Sequence, residues 1–158
     1  YRADQNIAGR FELFVALPGV SHSGVQVSGP MAPPLPNGLV RDFTWAPDST
    51  RVAYLADQVT SGQVELFSST PDGVTNDVVS GPIIPAAGDV EAPGPVFSGA
   101  AFLWSPDAGR IAYRADQEID EVFEVFTSRS DGSDNTRISQ DLTVGKTAQG
   151  FEWGSEAF

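Results

Sequence analysis

Nowhere in this chain do ten or more residues carry apolar side chains at helical i, i+3, i+4 spacing without a Gly or Pro among them. Apolar residues fall instead in short clusters, some strictly alternating, bounded by Gly, Pro, Asp and Asn. That is the pattern of short strands joined by tight turns. Strands are expected at the end of the segment 1–5, over 10–17, 25–27 and 39–45, and over 51–54, 63–68 and 78–79. A third series is expected at 102–104, 110–113, 123–126 and 136–138, and a last strand at 151–153. The Pro- and Gly-rich stretches 29–38 and 81–99 can be neither helix nor central strand, because proline lacks the amide that a ladder needs.

The clusters recur in register. Tyr1-Arg2-Ala3-Asp4-Gln5 returns as Tyr54-Leu55-Ala56-Asp57-Gln58 and as Tyr113-Arg114-Ala115-Asp116-Gln117. Each copy is followed by an apolar strand holding one glutamate, at Glu12, Glu65 and Glu124, always at the same distance from the tyrosine. Phe43-Thr44-Trp45, Phe102-Leu103-Trp104 and Phe151-Glu152-Trp153 form a second series. A recurrence of this length in a strand-rich chain marks a repeat architecture. The repeats divide a single domain, 1–158, into units of about 1–53, 54–112 and 113–158. Each unit supplies four short strands: Phe-x-Trp, the strand ending in Ala-Tyr, the Glu-Phe strand and a short outer strand. Four-stranded units repeated about an axis make a β-propeller, whose sheets bury both faces by stacking on their neighbours.

The segment Phe-x-Trp-Ser-Pro-Asp-x-Gly-Arg-Ile-Ala-Tyr over 102–113 resembles the TolB-like, or PD40 (WD40-like), propeller repeat. Residues 43–54 are a second copy, with Asp48 matching Asp107 in the Pro-Asp turn. Asp72-Gly73 and Asp131-Gly132 match the family's turn before the outer strand, whereas Gly154-Ser155-Glu156 departs from it after the third Phe-x-Trp. The resemblance implies an all-β propeller with three blade equivalents per chain, half of a six-bladed ring. It also implies a bacterial protein that is periplasmic or secreted.

The frame of the repeats carries an expectation about assembly. The chain opens on a second strand at Tyr1, inside a repeat and not at a Met, and closes on a first strand at Trp153. Three units are too few for a ring, since propellers have about 4–8 blades. Two copies would make six, each C-terminal strand completing the first blade of the other, in a homodimer with twofold symmetry. The other reading is an excised piece of a longer propeller.

Charge and composition narrow the partners. The formal net charge of −12 repels phosphate backbones, so no nucleic acid is expected. The absence of cysteine excludes disulfides, thiolate metal sites and cysteine nucleophiles. No apolar run of about 18 residues is present, so no membrane insertion is expected.

The candidate chemistry is sparse. Asp4, Asp57 and Asp116 stand at hairpin mouths, where aspartate commonly bonds loop amides. A structural role is favoured because it recurs in every unit. Glu12, Glu65 and Glu124 need partners if buried, and Arg2, Arg114, Arg51 and Arg110 are candidates. Trp45, Trp104 and Trp153 read as core residues before sugar platforms. Asp116, Glu118, Asp120 and Glu121 form the single acidic cluster and are the candidate calcium ligands, though their spacing is not that of an EF-hand. No other cofactor is expected. His22, the only histidine, lies in an expected loop, and no Gly-x-Ser-x-Gly elbow is present. The expected function is a non-catalytic scaffold or protein-interaction module. The alternatives are a carbohydrate- or calcium-dependent binding module and the accessory propeller of a hydrolase.

Overall fold

The computed structural model describes residues 1–31, 38–90 and 100–154, and these form eleven strands and no helix. The remaining parts of the two Pro-rich connections and the last four residues lie outside the described residues. Three antiparallel sheets follow one another along the chain. The first is β1 (Arg2–Ala3), β2 (Glu12–Val15) and β3 (Val25–Gln26). The second is β4 (Val40–Trp45), β5 (Val52–Ala56), β6 (Glu65–Ser69) and β7 (Asn76–Val78). The third is β8 (Phe102–Trp104), β9 (Arg110–Ala115), β10 (Glu124–Arg129) and β11 (Thr136–Arg137). They are called units 1, 2 and 3 below.

Registers agree between units. Tyr54 pairs with Phe67 and Tyr113 with Phe126 across the central strands, and Phe43 and Phe102 pair with the same tyrosines from the other side. In each unit the tyrosine ring stacks on the phenylalanine ring, with centroids 5.5, 5.4 and 5.7 Å apart for Tyr1–Phe14, Tyr54–Phe67 and Tyr113–Phe126. Two apolar clusters lie between the sheets. Leu13, Val27 and Met31 of unit 1 meet Val40, Val52, Tyr54 and Phe67 of unit 2. Ala53, Leu55, Leu66 and Val79 of unit 2 meet Phe102, Trp104, Ile111 and Phe126 of unit 3. Strand alternation sends the odd set of β5 to one neighbour and the even set to the other, so all five of its residues are buried. Full burial contributes about 1.5–3 kcal/mol for each large apolar side chain, so contact between sheets is the main stabilising term.

The turns close as their residues dictate. Asp48 and Asp107 each accept an amide two residues on, from Thr50 and Gly109, and the residues between them, Ser49 and Ala108, take positive φ. Gly73 and Gly132 also take positive φ, and both abut the preceding unit. A Cβ on Gly73 would stand 2.6 Å from the carbonyl oxygen of Gln26, and one on Gly132 would stand 2.1 Å from that of Val78. Glycine there lets each turn rest on the outer strand of the unit before it.

Two expectations are corrected here. Residues 151–153 are not a strand: among the described residues no ladder pairs with them, and the Trp153 indole reaches the Leu103 carbonyl of β8. Trp45, expected in the core with Trp104 and Trp153, is exposed, and so is Phe43. Both line a groove against Tyr1, Phe14 and Val15 of unit 1, where among the described residues no strand lies inside β1 to cover them.

Candidate functional site

The residues that repeat along the sequence meet where one unit joins the next. Asp57 and Asp116 are buried and use both carboxylate oxygens. One oxygen accepts an amide of the unit's own hairpin loop, from Gly62 N at 3.2 Å and Glu121 N at 3.0 Å. The other accepts an amide from the connection arriving from the preceding unit, Leu39 N at 2.8 Å and Asp89 N at 2.6 Å. Asp4 makes the first bond, to Gly9 N at 3.0 Å. The expected loop-bonding role of these aspartates is what the geometry shows, and they also hold the incoming chain. The connection is fixed a second time: Val40 N, Val90 N and Ala148 N donate to Phe11, Val64 and Phe123 carbonyls at equivalent positions.

The tyrosine and glutamine of the motif form a second clamp with an asparagine that the sequence reading missed. Tyr113 Oη donates to Gln117 Oε1 at 2.9 Å, Gln117 Nε2 to Asn135 Oδ1 at 3.3 Å, and Asn135 Nδ2 to Tyr113 Oη at 2.6 Å. Asn135 Nδ2 also reaches the Val79 carbonyl of unit 2, and Gly81 N of the same connection donates to Tyr113 Oη. Tyr54, Gln58 and Asn76 repeat the arrangement against Val27 and Gly29 of unit 1. Burial pushes the Tyr54 phenol up to about 12, and that of Tyr113 up as well. In unit 1 the asparagine position is Gly24, and the Tyr1 hydroxyl reaches Gln5 alone, at 3.4 Å. The signal was present, since Asn76 and Asn135 each stand nine residues after the stacked Phe67 and Phe126.

The strand glutamates have different partners from those expected. Arg10 pairs with Glu12 at 2.5 Å, and Arg137 with Glu124 at 3.3 Å. Arg2 instead donates to the Val40 and Arg41 carbonyls and lies over the Phe11 ring, and Arg114 lies over the Phe123 ring. Arg51 pairs with Asp77 and Arg110 with Asp134. These arginines belong to strands whose side chains point away from the glutamate or lie at the far end of the ladder. Unit 2 carries Gln63 and Val78 where Arg10 and Arg137 stand in the others, so Glu65 has no cation beside it among the described residues. Its Oε2 is buried without a hydrogen bond, and burial raises its carboxyl above the usual range.

The acidic cluster is dispersed. Asp116 is turned to backbone amides, Glu118 pairs with Arg137 at 2.7 Å, Asp120 is exposed, and Glu121 takes positive φ at the hairpin. Among the described residues no group of three or more acidic or histidine side chains converges as a metal site. His22 is exposed in a loop. No helix among the described residues is long and apolar enough to cross a membrane.

The indoles mark the step from unit to unit. Trp104 Nε1 donates to the Thr44 carbonyl at 3.4 Å, and Trp153 Nε1 donates to the Leu103 carbonyl at 3.0 Å. Each reaches the middle residue of the preceding Phe-x-Trp. Trp45 has no such carbonyl in front of it among the described residues. With Tyr1, Phe14, Val15, Phe43 and Val52 it lines an open cavity of 170 Å³ between units 1 and 2. This groove, with the bare edge of β1, is the candidate site.

No family model matches the chain, and no curated protein matches it. Among solved structures, one titled "The structure of putative TolB from Agrobacterium tumefaciens" is similar to it, at 12% sequence identity and a TM-score of 0.46. The match covers 80% of this chain and 40% of that one, so the chain spans less than half the length of the protein it matches.

Proposed function

We propose that this chain is a non-catalytic β-propeller scaffold, a protein-interaction module of the TolB-like repeat type, and that two copies of its three units close one six-bladed ring. The observation that supports it most is the repetition of one set of interunit bonds at two successive joints. A joint that recurs with the same register repeats one transformation from unit to unit, which closes into a ring when its rotation divides a full turn. Asp57, Asp116 and the two Tyr-Gln-Asn clamps are committed to holding these joints together, which favours a scaffold over an enzyme. In such a ring, partners bind at the loops of a rim or at the central channel. The resemblance of the repeats to the TolB-like family favours a periplasmic or secreted setting.

Small-angle X-ray scattering tests the reading. A compact disc of twice the chain mass, with a central channel, is the expected result; an open arc of one chain mass would overturn it. The exposed Trp45 indole favours a second reading, a carbohydrate-binding groove, because sugar rings stack on such faces. Quenching of tryptophan fluorescence by oligosaccharides, lost in Trp45→Ala, would support that reading in place of the first.

A further inference from the structure

We propose that Glu65 of unit 2 receives an arginine side chain of a partner protein, its carboxylate taking the guanidinium while Val59 and Val78 pack the aliphatic stem. The inference rests on the reading of the chain as a protein-interaction module, and names a site and a residue type for that interaction.

The three units place a glutamate at one position of the fold and provide for it differently. In unit 1, Glu12 is surrounded by side-chain donors. Asn6 Nδ2 donates to its Oε2 at 2.6 Å, Arg10 Nε and Nη2 donate to Oε1 at 3.1 and 2.5 Å, and Gln26 Nε2 donates to Oε1 at 3.2 Å. In unit 3, Arg137 Nη1 stands 3.3 Å from both oxygens of Glu124, and Leu142 N donates to Oε1 at 3.1 Å. Asn6, Arg10 and Gln26 correspond in unit 2 to Val59, Gln63 and Val78. Residues 59 and 63 keep the spacing from the motif tyrosine, and Val78 pairs with Phe67 as Gln26 pairs with Phe14 and Arg137 with Phe126. The two valines have no side-chain donor, and Gln63 Nε2 turns to the Pro85 carbonyl at 3.4 Å.

The group that unit 2 lacks is a guanidinium. Units 1 and 3 both hold one against this carboxylate, and they bring it in on different segments, Arg10 ahead of β2 and Arg137 on β11. The position therefore selects the group and not one backbone route. All nine lysines and arginines of the sequence lie among the described residues, so neither Pro-rich connection supplies the missing one. Oε2 of Glu65 is buried without a hydrogen bond, and burial raises the carboxyl with no positive charge to offset it. The site is also open to an incoming side chain. Glu65 is half-buried, and Val59 and Val78 are 60% and 40% exposed. An arginine stem covers apolar surface while its head stays polar. Its planar fork bonds a carboxylate through two parallel N–H groups, which the point charge of lysine does not reproduce. The net charge of −12 draws a basic partner toward the chain.

The probe is the capped tripeptide Gly-Arg-Gly, titrated into the isotope-labelled chain and followed by the amide NMR signals of Val59, Glu65 and Val78, with capped Gly-Lys-Gly as control. Saturable shifts at these three residues are expected, and weaker ones from the lysine peptide. Glu65→Gln keeps the shape and loses the charge, and is expected to weaken binding by about tenfold or more, the worth of a hydrogen-bonded charge pair. Val78→Arg supplies from β7 the group that Arg137 supplies from β11. It is expected to raise the melting temperature and to abolish peptide binding, and it keeps the test open should Glu65→Gln fail to fold, since residue 78 is exposed. No shift at any peptide concentration, equal binding of the lysine peptide, or unchanged binding in either variant overturns the site. Shifts confined to other residues also overturn it and leave the interaction-module reading standing. The scattering profile does not depend on the peptide and tests the propeller separately.

Discussion

Asn135 donates to the hydroxyl of Tyr113 at 2.6 Å, inside unit 3, while the same amide nitrogen reaches the Val79 carbonyl of unit 2 at 3.2 Å. One side chain thus joins the motif tyrosine to the neighbouring sheet. Replacing it by alanine leaves the Tyr113 hydroxyl, the Gln117 amide and the Val79 carbonyl short of partners. A buried group left unsatisfied costs about 1–3 kcal/mol. Asn135→Ala is therefore expected to lower the melting temperature by several degrees, at roughly 2–4 °C per kcal/mol for a chain of this size. Tyr113→Phe is expected to act in the same direction. Tyr1→Phe removes only a long bond to Gln5 and is expected to change the melting temperature of the single chain little. Thermal denaturation by circular dichroism checks all three.

The glutamates predict opposite signs for one substitution. Glu65→Gln removes a carboxylate that burial disfavours, and is expected to stabilise the fold at neutral pH. Glu124→Gln weakens the pairing with Arg137 and the bond accepted from Leu142 N, and is expected to destabilise it by about 1–3 kcal/mol. The Glu65 effect also has a pH signature. A carboxyl raised in the folded state contributes stability that is fully present below its unfolded value, near 4.3, and lost as pH rises through its folded value. The gain from Glu65→Gln should thus appear above that range and vanish below it. A gain of equal size at all pH values would contradict the assignment.

Acid should act on the turns. The Asp48 carboxyl is held low mainly by the Thr50 amide, Asp72 by the Thr70 hydroxyl, Asp107 by the Ser105 hydroxyl and Asp131 by the Ser133 hydroxyl. A carboxyl lowered by folding contributes stability that is present above its unfolded value, near 3.9, and lost as pH falls through the folded one. Denaturant midpoints measured through that range should fall with pH, and Asp107→Asn should flatten the fall. The shifts come mainly from short hydrogen bonds to uncharged donors and not from distant charges, so added salt should change the fall little. At the alkaline end, Tyr54 should resist ionisation until about pH 12 in an absorbance titration, and stability should be lost as pH rises through that value.

Two glycines with the same backbone separate strain from contact. Gly62 and Gly132 both take positive φ, at 84° and 81°. Open space surrounds Gly62, whereas a Cβ on Gly132 meets the Val78 carbonyl oxygen. Gly62→Ala is expected to cost about 1 kcal/mol from backbone strain alone. Gly132→Ala is expected to cost distinctly more, because unit 3 must shift from unit 2. Equal losses in urea titrations would show that the turn does not bear on its neighbour.

The strands and their order were legible because the chain repeats its own solution. Tyr, Glu and Phe-x-Trp positions recur in register, and one pass through the alternation gives all three sheets. The structural role of Asp57 and Asp116 was legible for the same reason, although their bonds to the incoming connection were not. Those bonds join residues in different units, and a pattern read within one repeat does not show what crosses to the next. Arg10 and Arg137 were missed as partners of Glu12 and Glu124 because each lies on a different neighbouring segment, and unit 2 has neither. Trp45 was placed in the core by analogy with Trp104, but burial depends on what stands in front of the indole, and that differs at the edge of unit 1.

Solution mass by light scattering, over a concentration series, tests the central claim most directly. The account predicts a species of twice 16.7 kDa, converting to the single chain only on dilution. A single-chain mass throughout, from a protein that still unfolds cooperatively, would contradict it.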